Sequence, residues 1–238
     1  MWIPYTLQIG GYVVKLFDPA LHRELPITPD AQRGRHDKRW VRIARPTAVA
    51  GGELTLEKLE ISIDPTHNVC EAPLQLKANM GTLVVDDFGR GVTAPRDLLN
   101  RWIYPLERRV DFLTLPDGRK FDAPFDCMLV FSTNLEPRDL ADEAFLRRIP
   151  YKIYVGDPVE DEFEALVVHM ARELGVELQP RSVKYLVDRH YKMTKRPMRF
   201  CHPRDLLLQV VHLCEYERRP KVAGPSEWDR VVANYFAV

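Results

Sequence analysis

The stretch Gly81-Thr82-Leu83-Val84-Val85-Asp86-Asp87-Phe88-Gly89 decides the fold. A short, β-branched apolar run ends abruptly in two adjacent carboxylates and a glycine. Runs of this kind predict a buried strand of a parallel sheet, where both faces are covered and side chains need not alternate. Such a strand delivers acids at its carboxyl end, where an α/β sheet presents metal-ligating and water-polarising carboxylates to a phosphate chain.

On the amino-terminal side, Ala72 to Met80 predicts a short helix stopped by Gly81. Residues 1 to about 70 read as β-rich, with strands over 12–17 and 40–45 separated by a polar, exposed loop from Pro19 to Arg39. On the carboxyl-terminal side, Pro95-Arg96-Asp97 opens a helix whose Leu98, Leu99, Trp102, Ile103 and Leu106 recur at helical spacing. Leu113 to Phe121, around Pro116-Asp117-Gly118, predicts a hairpin. Cys127 to Asn134 predicts a second buried strand and Tyr151 to Val155 a third. Strands alternating with helices predict a parallel α/β sheet.

Composition then changes. Asp157-Pro158 predicts a helix start, and Phe163, Leu166, Val167, Met170 and Leu174 share one face before a stop at Gly175. Helices near 181–191 and 203–216 follow without intervening strands. Ser226-x-x-Asp229 predicts the cap of a last helix carrying Trp228, Val231, Val232, Tyr235 and Phe236. The expected organisation is an α/β core over 1–156 with a β-rich amino-terminal insertion, a small all-helical domain over 157–219 and a tail helix over 220–238.

Bulk composition bounds the chemistry. At 238 residues, 45% hydrophobic and 29% charged, the chain has the make-up of an ordinary globular protein. Lys and Arg together number 34 and so do Asp and Glu, so any attraction to nucleic acid or membrane has to come from local patches. No apolar run approaches the roughly 20 residues of a membrane span, and Met-Trp-Ile-Pro-Tyr shows no basic region followed by a hydrophobic one. These features predict a cytoplasmic protein. Cysteines at 70, 127, 201 and 214 are too irregularly spaced for a disulfide framework or a CxxC zinc pair.

Each candidate site residue has a functional and a plain reading. Asp86 suits a Mg²⁺ ligand and Asp87 a group that orients or deprotonates an attacking water; together they also suit a solvated strand-end turn. Asn134, ending Phe131-Ser132-Thr133-Asn134, reads as a hydrogen-bonding partner of that water or as a turn residue. Arg147 and Arg148, after Asp142-Glu143-Ala144-Phe145-Leu146, read as an arginine finger or as cations neutralising a helix end. Six Lys/Arg and no acid lie between Arg189 and Arg204. Arg204, in the first turn of a helix, reads as a nucleotide contact or as part of a solvated basic face.

Taken in order, these motifs resemble the AAA+ ATPase module of MoxR-like and related bacterial type, from Walker B onward over roughly residues 72–216. Asp86-Asp87 looks like Walker B, Phe131 to Asn134 like the sensor 1 strand, Arg148 (alternatively Arg147) like the arginine finger, and Arg204 in Pro-Arg-Asp-Leu like sensor 2. The resemblance implies an incomplete parallel-sheet P-loop NTPase core followed by a helical lid, ATP and Mg²⁺ as cofactors, and AAA+ ring subunits, homo- or hetero-oligomeric, as partners. It further implies coupling of ATP hydrolysis to remodelling of an unknown protein substrate. Two departures stand out. Asp87 occupies a position where many members carry Glu. The phosphate-cradling G-x-x-x-x-G-K-[ST] loop occurs nowhere in the 238 residues, while the segment 1–71 with Gly51-Gly52-Glu53-Leu54 looks like the region after that loop. The chain is therefore expected to start inside the module, as a truncated product or a natural partial subunit. Two rivals remain: a non-hydrolysing AAA+-like interaction subunit, and a nucleic-acid-binding module using Arg189 to Arg204.

Overall fold

Short strands pair through the first seventy residues of the computed structural model, which describes residues 1–26, 36–64, 66, 69–140 and 146–237, with the side chain of residue 138 excepted. β1 (Trp2–Pro4) pairs antiparallel with β4 (Trp40–Arg42), and β2 (Thr6–Ile9), β3 (Tyr12–Lys15), β6 (Ser62–Asp64) and β7 (Val69–Glu71) form a sheet in the order β2-β3-β7-β6. The parallel sheet comprises β5 (Thr47–Ala50), β8 (Thr82–Val85) and β11 (Met128–Phe131), with β8 central. β9 (Val110–Thr114) and β10 (Lys120–Pro124) are the predicted hairpin, in register from Val110↔Pro124 to Thr114↔Lys120.

Helix α1 (Leu74–Lys77) leads into β8, and α2 (Pro95–Arg108) follows it, with Pro95 at its first position and a left-handed Arg109 at its end. Leu98, Leu99 and Trp102 of α2 are buried against Ala48, Ala50, Leu83, Val85 and Phe88, so the apolar stripe of the helix covers the parallel sheet. Ile3, Val14, Val41, Ile43, Cys70 and Leu113 form a separate core under the amino-terminal strands. A short α3 (Pro137–Leu140) follows β11. The predicted segment Asp142 to Phe145 lies outside the described residues.

The chain divides into two units, Met1–Lys152 and Ile153–Val238. The second holds α4 (Glu160–Leu174), α5 (Ser182–Val187) running into a π turn over Asp188–Lys192, α6 (His202–Tyr216) and α7 (Pro225–Phe236). Phe163, Val167, Leu186, Tyr191, Leu206, Leu207, Val210, Trp228 and Val231 converge in one core, so the helix assigned by sequence to a tail shares the interior of the other helices.

Several expectations need correction. Tyr151 to Val155 is not a buried strand: Tyr151, Ile153, Tyr154 and Val155 are each more than three-quarters exposed and pair with no described strand. An apolar run becomes a strand only where another strand lies alongside to take its backbone hydrogen bonds. The Pro19–Arg39 segment is not wholly exposed, because His22 is buried and hydrogen-bonds the Lys77 carbonyl at 2.9 Å. α4 is capped at Val159 rather than Asp157, since the Glu162 carboxylate accepts from the Val159 amide at 3.1 Å. α7 is capped at Gly224, whose amide donates to Glu227 at 2.9 Å; Asp229 accepts instead from Tyr185 Oη at 2.9 Å. The helical unit is not purely helical: β12 (Glu177–Leu178) and β13 (Val222–Ala223) pair in parallel.

Candidate functional site

Parallel pairing sets the site. β8 registers Val85 opposite Phe131 on one side and Ala50 on the other, so the residues following all three strands emerge at one edge of the sheet. Asp86 donates its amide to Ala50 O at 2.8 Å, the last ladder bond to β5. Asp87 then turns the chain with φ +50°, a left-handed conformation that Asp tolerates better than most residues. Both side chains are exposed at the rim.

The acid turn is bolted from beneath. Phe88 is buried, with its ring 4.8 Å from that of Phe131, and its amide donates to Ser132 O at 2.8 Å. Thr133 Oγ1 donates to Phe88 O at 2.7 Å and accepts the Leu135 amide at 3.1 Å. Ser132 and Thr133 thus fix the turn that carries the acids. Sequence reading missed both, because these are side-chain and backbone bonds between segments more than forty residues apart. The preceding strand, β5, was missed too, although Pro46 and Gly51-Gly52 bracket it as breakers.

Glycines close the opposite wall. A Cβ on Gly91 would lie 2.8 Å from Gly52 O, and the Val92 amide donates to that same oxygen at 2.9 Å, so the loops after β5 and β8 zip together backbone to backbone. A cavity of about 10 Å³, room for one water, lies between Gly51, Gly52, Asp86, Asp87 and Thr93. In the same loop, the backbone amides of Glu53 and Gly51 hold the Glu53 carboxyl below the usual glutamate range. Glu53 is an acid the sequence reading did not single out.

Asn134 follows Thr133 and is exposed at the same edge as Asp86 and Asp87. Arg148 is half-buried and its Nε donates to Glu107 Oε1 of α2 at 2.7 Å; Arg147 is exposed. Arg204 is exposed in the first turn of α6, in the other unit. Much of the basic run 189–204 is already engaged: Lys192 pairs with Glu160 at 2.6 Å and Asp188 at 3.2 Å, and the Arg196 guanidinium lies 3.6 Å over the Phe236 ring. Burial pushes the Cys127 thiol up to about 11, so this cysteine under β11 is an inert core residue. Among the described residues no helix is long and apolar enough to cross a membrane.

The fold is that of AAA+ P-loop ATPases. NtrX from Brucella abortus superimposes on 76% of the chain with a TM-score of 0.56 at 14% identity, over 42% of its own length. Its complex with ATP superimposes on 76% of the chain with a TM-score of 0.53 at 13% identity, over 44% of its length, and NtrX has also been solved with ADP. The Holliday junction branch migration motor RuvB of Thermotoga maritima matches 79% of the chain over 52% of its own length, with a TM-score of 0.49 at 12% identity. The chain spans less than half the length of NtrX. Residues 159–234 match a family model described as a domain of unknown function, DUF8689. No curated protein matches the sequence.

Proposed function

We propose that the chain contributes the acid-bearing half of an AAA+ nucleotide site and takes part in ATP-driven remodelling within a ring of such subunits. The observation that carries the reading is the braced turn at the end of β8, where Phe88, Ser132 and Thr133 hold Asp86 and Asp87 at the carboxyl edge of a parallel sheet. In this reading Asp86 is the Mg²⁺ ligand, and Asp87 and Asn134 orient the attacking water. The donor set, exposed carboxylates at the end of β8, fits a hard cation that takes few protein oxygens and completes its shell from phosphates. When bound there, Mg²⁺ with ATP would neutralise charge on the phosphates.

The grip on the phosphates is missing from these 238 residues, which contain no G-x-x-x-x-G-K-[ST]. Two carboxylates without that backbone nest repel a bare triphosphate. ATP would therefore be held jointly with a phosphate-binding loop outside these residues. Arg148 is the residue proposed to act on a neighbour's ATP, with Arg147 the alternative. In that role Arg148 would leave Glu107, and an arginine finger is worth about 10³–10⁵ in rate in GTPases.

The chain alone is expected to show no steady-state ATPase above background. Mixed with a P-loop-bearing AAA+ protein from the same cell, it is expected to stimulate turnover, and Arg148→Ala to abolish that stimulation while Arg147→Ala keeps it. Turnover by the isolated chain that disappears in Asp86→Ala would overturn the shared-site reading. Equal stimulation by wild type and both arginine variants would remove the finger and leave a non-hydrolysing interaction subunit.

A further inference from the structure

The β1–β4 ribbon has two faces of opposite character. Ile3 and Val41 are buried, at 7% and 6% exposure, in the core beneath the amino-terminal strands. Their neighbours along each strand point the other way. On that outer face the register sets Pro4 opposite Trp40 and Trp2 opposite Arg42, so the two indoles occupy a diagonal of one small surface. Diagonal neighbours lie about 7–8 Å apart, within reach of one another's rings.

These aromatics are partly exposed. Trp2 is 39% exposed, Trp40 43% and the adjoining Tyr5 40%. The His36 ring lies 5.8 Å from that of Trp2 at a tilt of 35°. Beside them lies a hollow of about 330 Å³ bordered by Tyr5, Glu24, His36, Lys38, Trp40 and Arg42.

Charge separates the possible occupants. Among the described residues around this face, Lys38, Arg39 and Arg42 are cationic and Glu24 and Asp37 acidic, in a chain whose net charge is zero. Asp37 is consumed by Arg39, which it holds through bonds of 2.6 to 3.0 Å. Arg42 is braced by a bond from Nη1 to Pro26 O at 2.9 Å. Lys38 is exposed beside it. The centre of a protein–protein interface is depleted in Lys and Glu, whereas Lys38 and Glu24 border these rings. Flat rings interleaved with cations instead match a strand of nucleotides, whose bases stack and whose phosphates need positive partners.

We propose that this face is a stacking platform for an unpaired polynucleotide chain: Trp2 and Trp40 take bases, and Lys38 and Arg42 take phosphates. Unpaired bases are required, because a duplex hides the base planes that indoles recognise. The site is separate from the acid turn and needs no ATP.

The test is fluorescence anisotropy of the full chain with a labelled oligothymidine, at low and high salt, alongside the quench of intrinsic tryptophan emission. Binding is expected for the single strand, weaker for the same label in a duplex, and reduced as salt rises. Stacking of one base is worth about 1–3 kcal/mol, so Trp40→Ala or Trp2→Ala is expected to weaken binding about fivefold to a hundredfold. Trp40→Phe keeps a ring and is expected to retain most of the affinity, which separates lost stacking from lost folding. Lys38→Gln with Arg42→Gln is expected to flatten the salt dependence. Absence of binding, or binding that Trp2→Ala and Trp40→Ala leave unchanged, overturns the proposal. So does preference for anionic vesicles over the oligonucleotide that survives both tryptophan changes.

Discussion

Gly81 opens β8 under a backbone constraint that no other residue meets. A Cβ there would lie 2.2 Å from the carbonyl oxygen of Pro46, the same atom that accepts the Thr82 amide at 3.0 Å and starts the pairing with β5. Side chains can yield to such an intrusion; a carbonyl fixed in a ladder cannot. Gly81→Ala is therefore expected to lower stability by about 2 kcal/mol, as overpacking does, read as a fall in the urea midpoint with unchanged slope. An unchanged midpoint would mean that Pro46 moves freely. At Asp87 the argument concerns which acid fits. With φ at +50°, Asp is among the few residues other than Gly that the backbone favours. The shorter carboxylate in place of Glu thus agrees with local geometry.

A largely buried polar cluster ties helix α2 to the rest of its unit. Arg101 donates to both oxygens of Asp111, at 2.6 and 3.1 Å, and its Nε reaches Glu60 at 2.9 Å. Gln75 Nε2 joins the cluster through Leu59 O at 2.7 Å and Asp111 Oδ2 at 3.0 Å. Asp111 is buried, so its charge depends on Arg101 for compensation, while the Arg101 guanidinium is held above its ordinary pKa against desolvation by these same carboxylates. Removing one member of such a pair costs about 3–5 kcal/mol. Arg101→Met is expected to destabilise by that amount, and Arg101→Met with Asp111→Asn to recover much of the loss; a double variant as unstable as the single would contradict the pairing. No sequence pattern announces this cluster, since its members come from α1, α2, β9 and the loop before β6. Helix α2 itself was legible, because Pro95 and the spacing of Leu98, Leu99 and Trp102 are local signals. Tyr151 to Val155 misled for the complementary reason: composition reports how apolar a segment is, not whether a neighbour exists to pair with it.

At the scale of the whole chain, what could be read in advance was what strand ends and helix faces encode. Asp86, Asp87 and Asn134 fall where parallel strands finish, so their gathering at one edge follows from order alone. Ser132, Thr133 and the Gly52–Gly91 contact, which make that edge rigid, join segments far apart in sequence and stayed hidden. The division into two units has a sharper consequence. Every side chain of the core around Trp228 comes from residues beyond Gly156, so the segment 153–238 carries its own interior. This segment is expected to fold when expressed alone, with a single cooperative thermal transition; a chain that stays unfolded would refute it. Its stability is expected to depend on pH through His202. That ring is nearly buried, accepts or donates at 3.1 Å to Tyr191 Oη, and touches the rings of Tyr235 and Phe236. Burial, then the Arg199 charge, depresses its pKa below the ordinary 6.5; Arg196 acts in the same sense, and Asp205 and Asp157 oppose it. A depressed pKa means that the unfolded chain takes up the proton first as pH falls. The stabilisation from neutral His202 is thus fully present above pH 6.5 and is lost as pH drops through the folded value. The melting temperature of 153–238 is expected to fall between pH 7 and pH 5, and His202→Gln to start lower at pH 7 but fall less steeply. Parallel curves for the two proteins would assign the acid sensitivity to other groups.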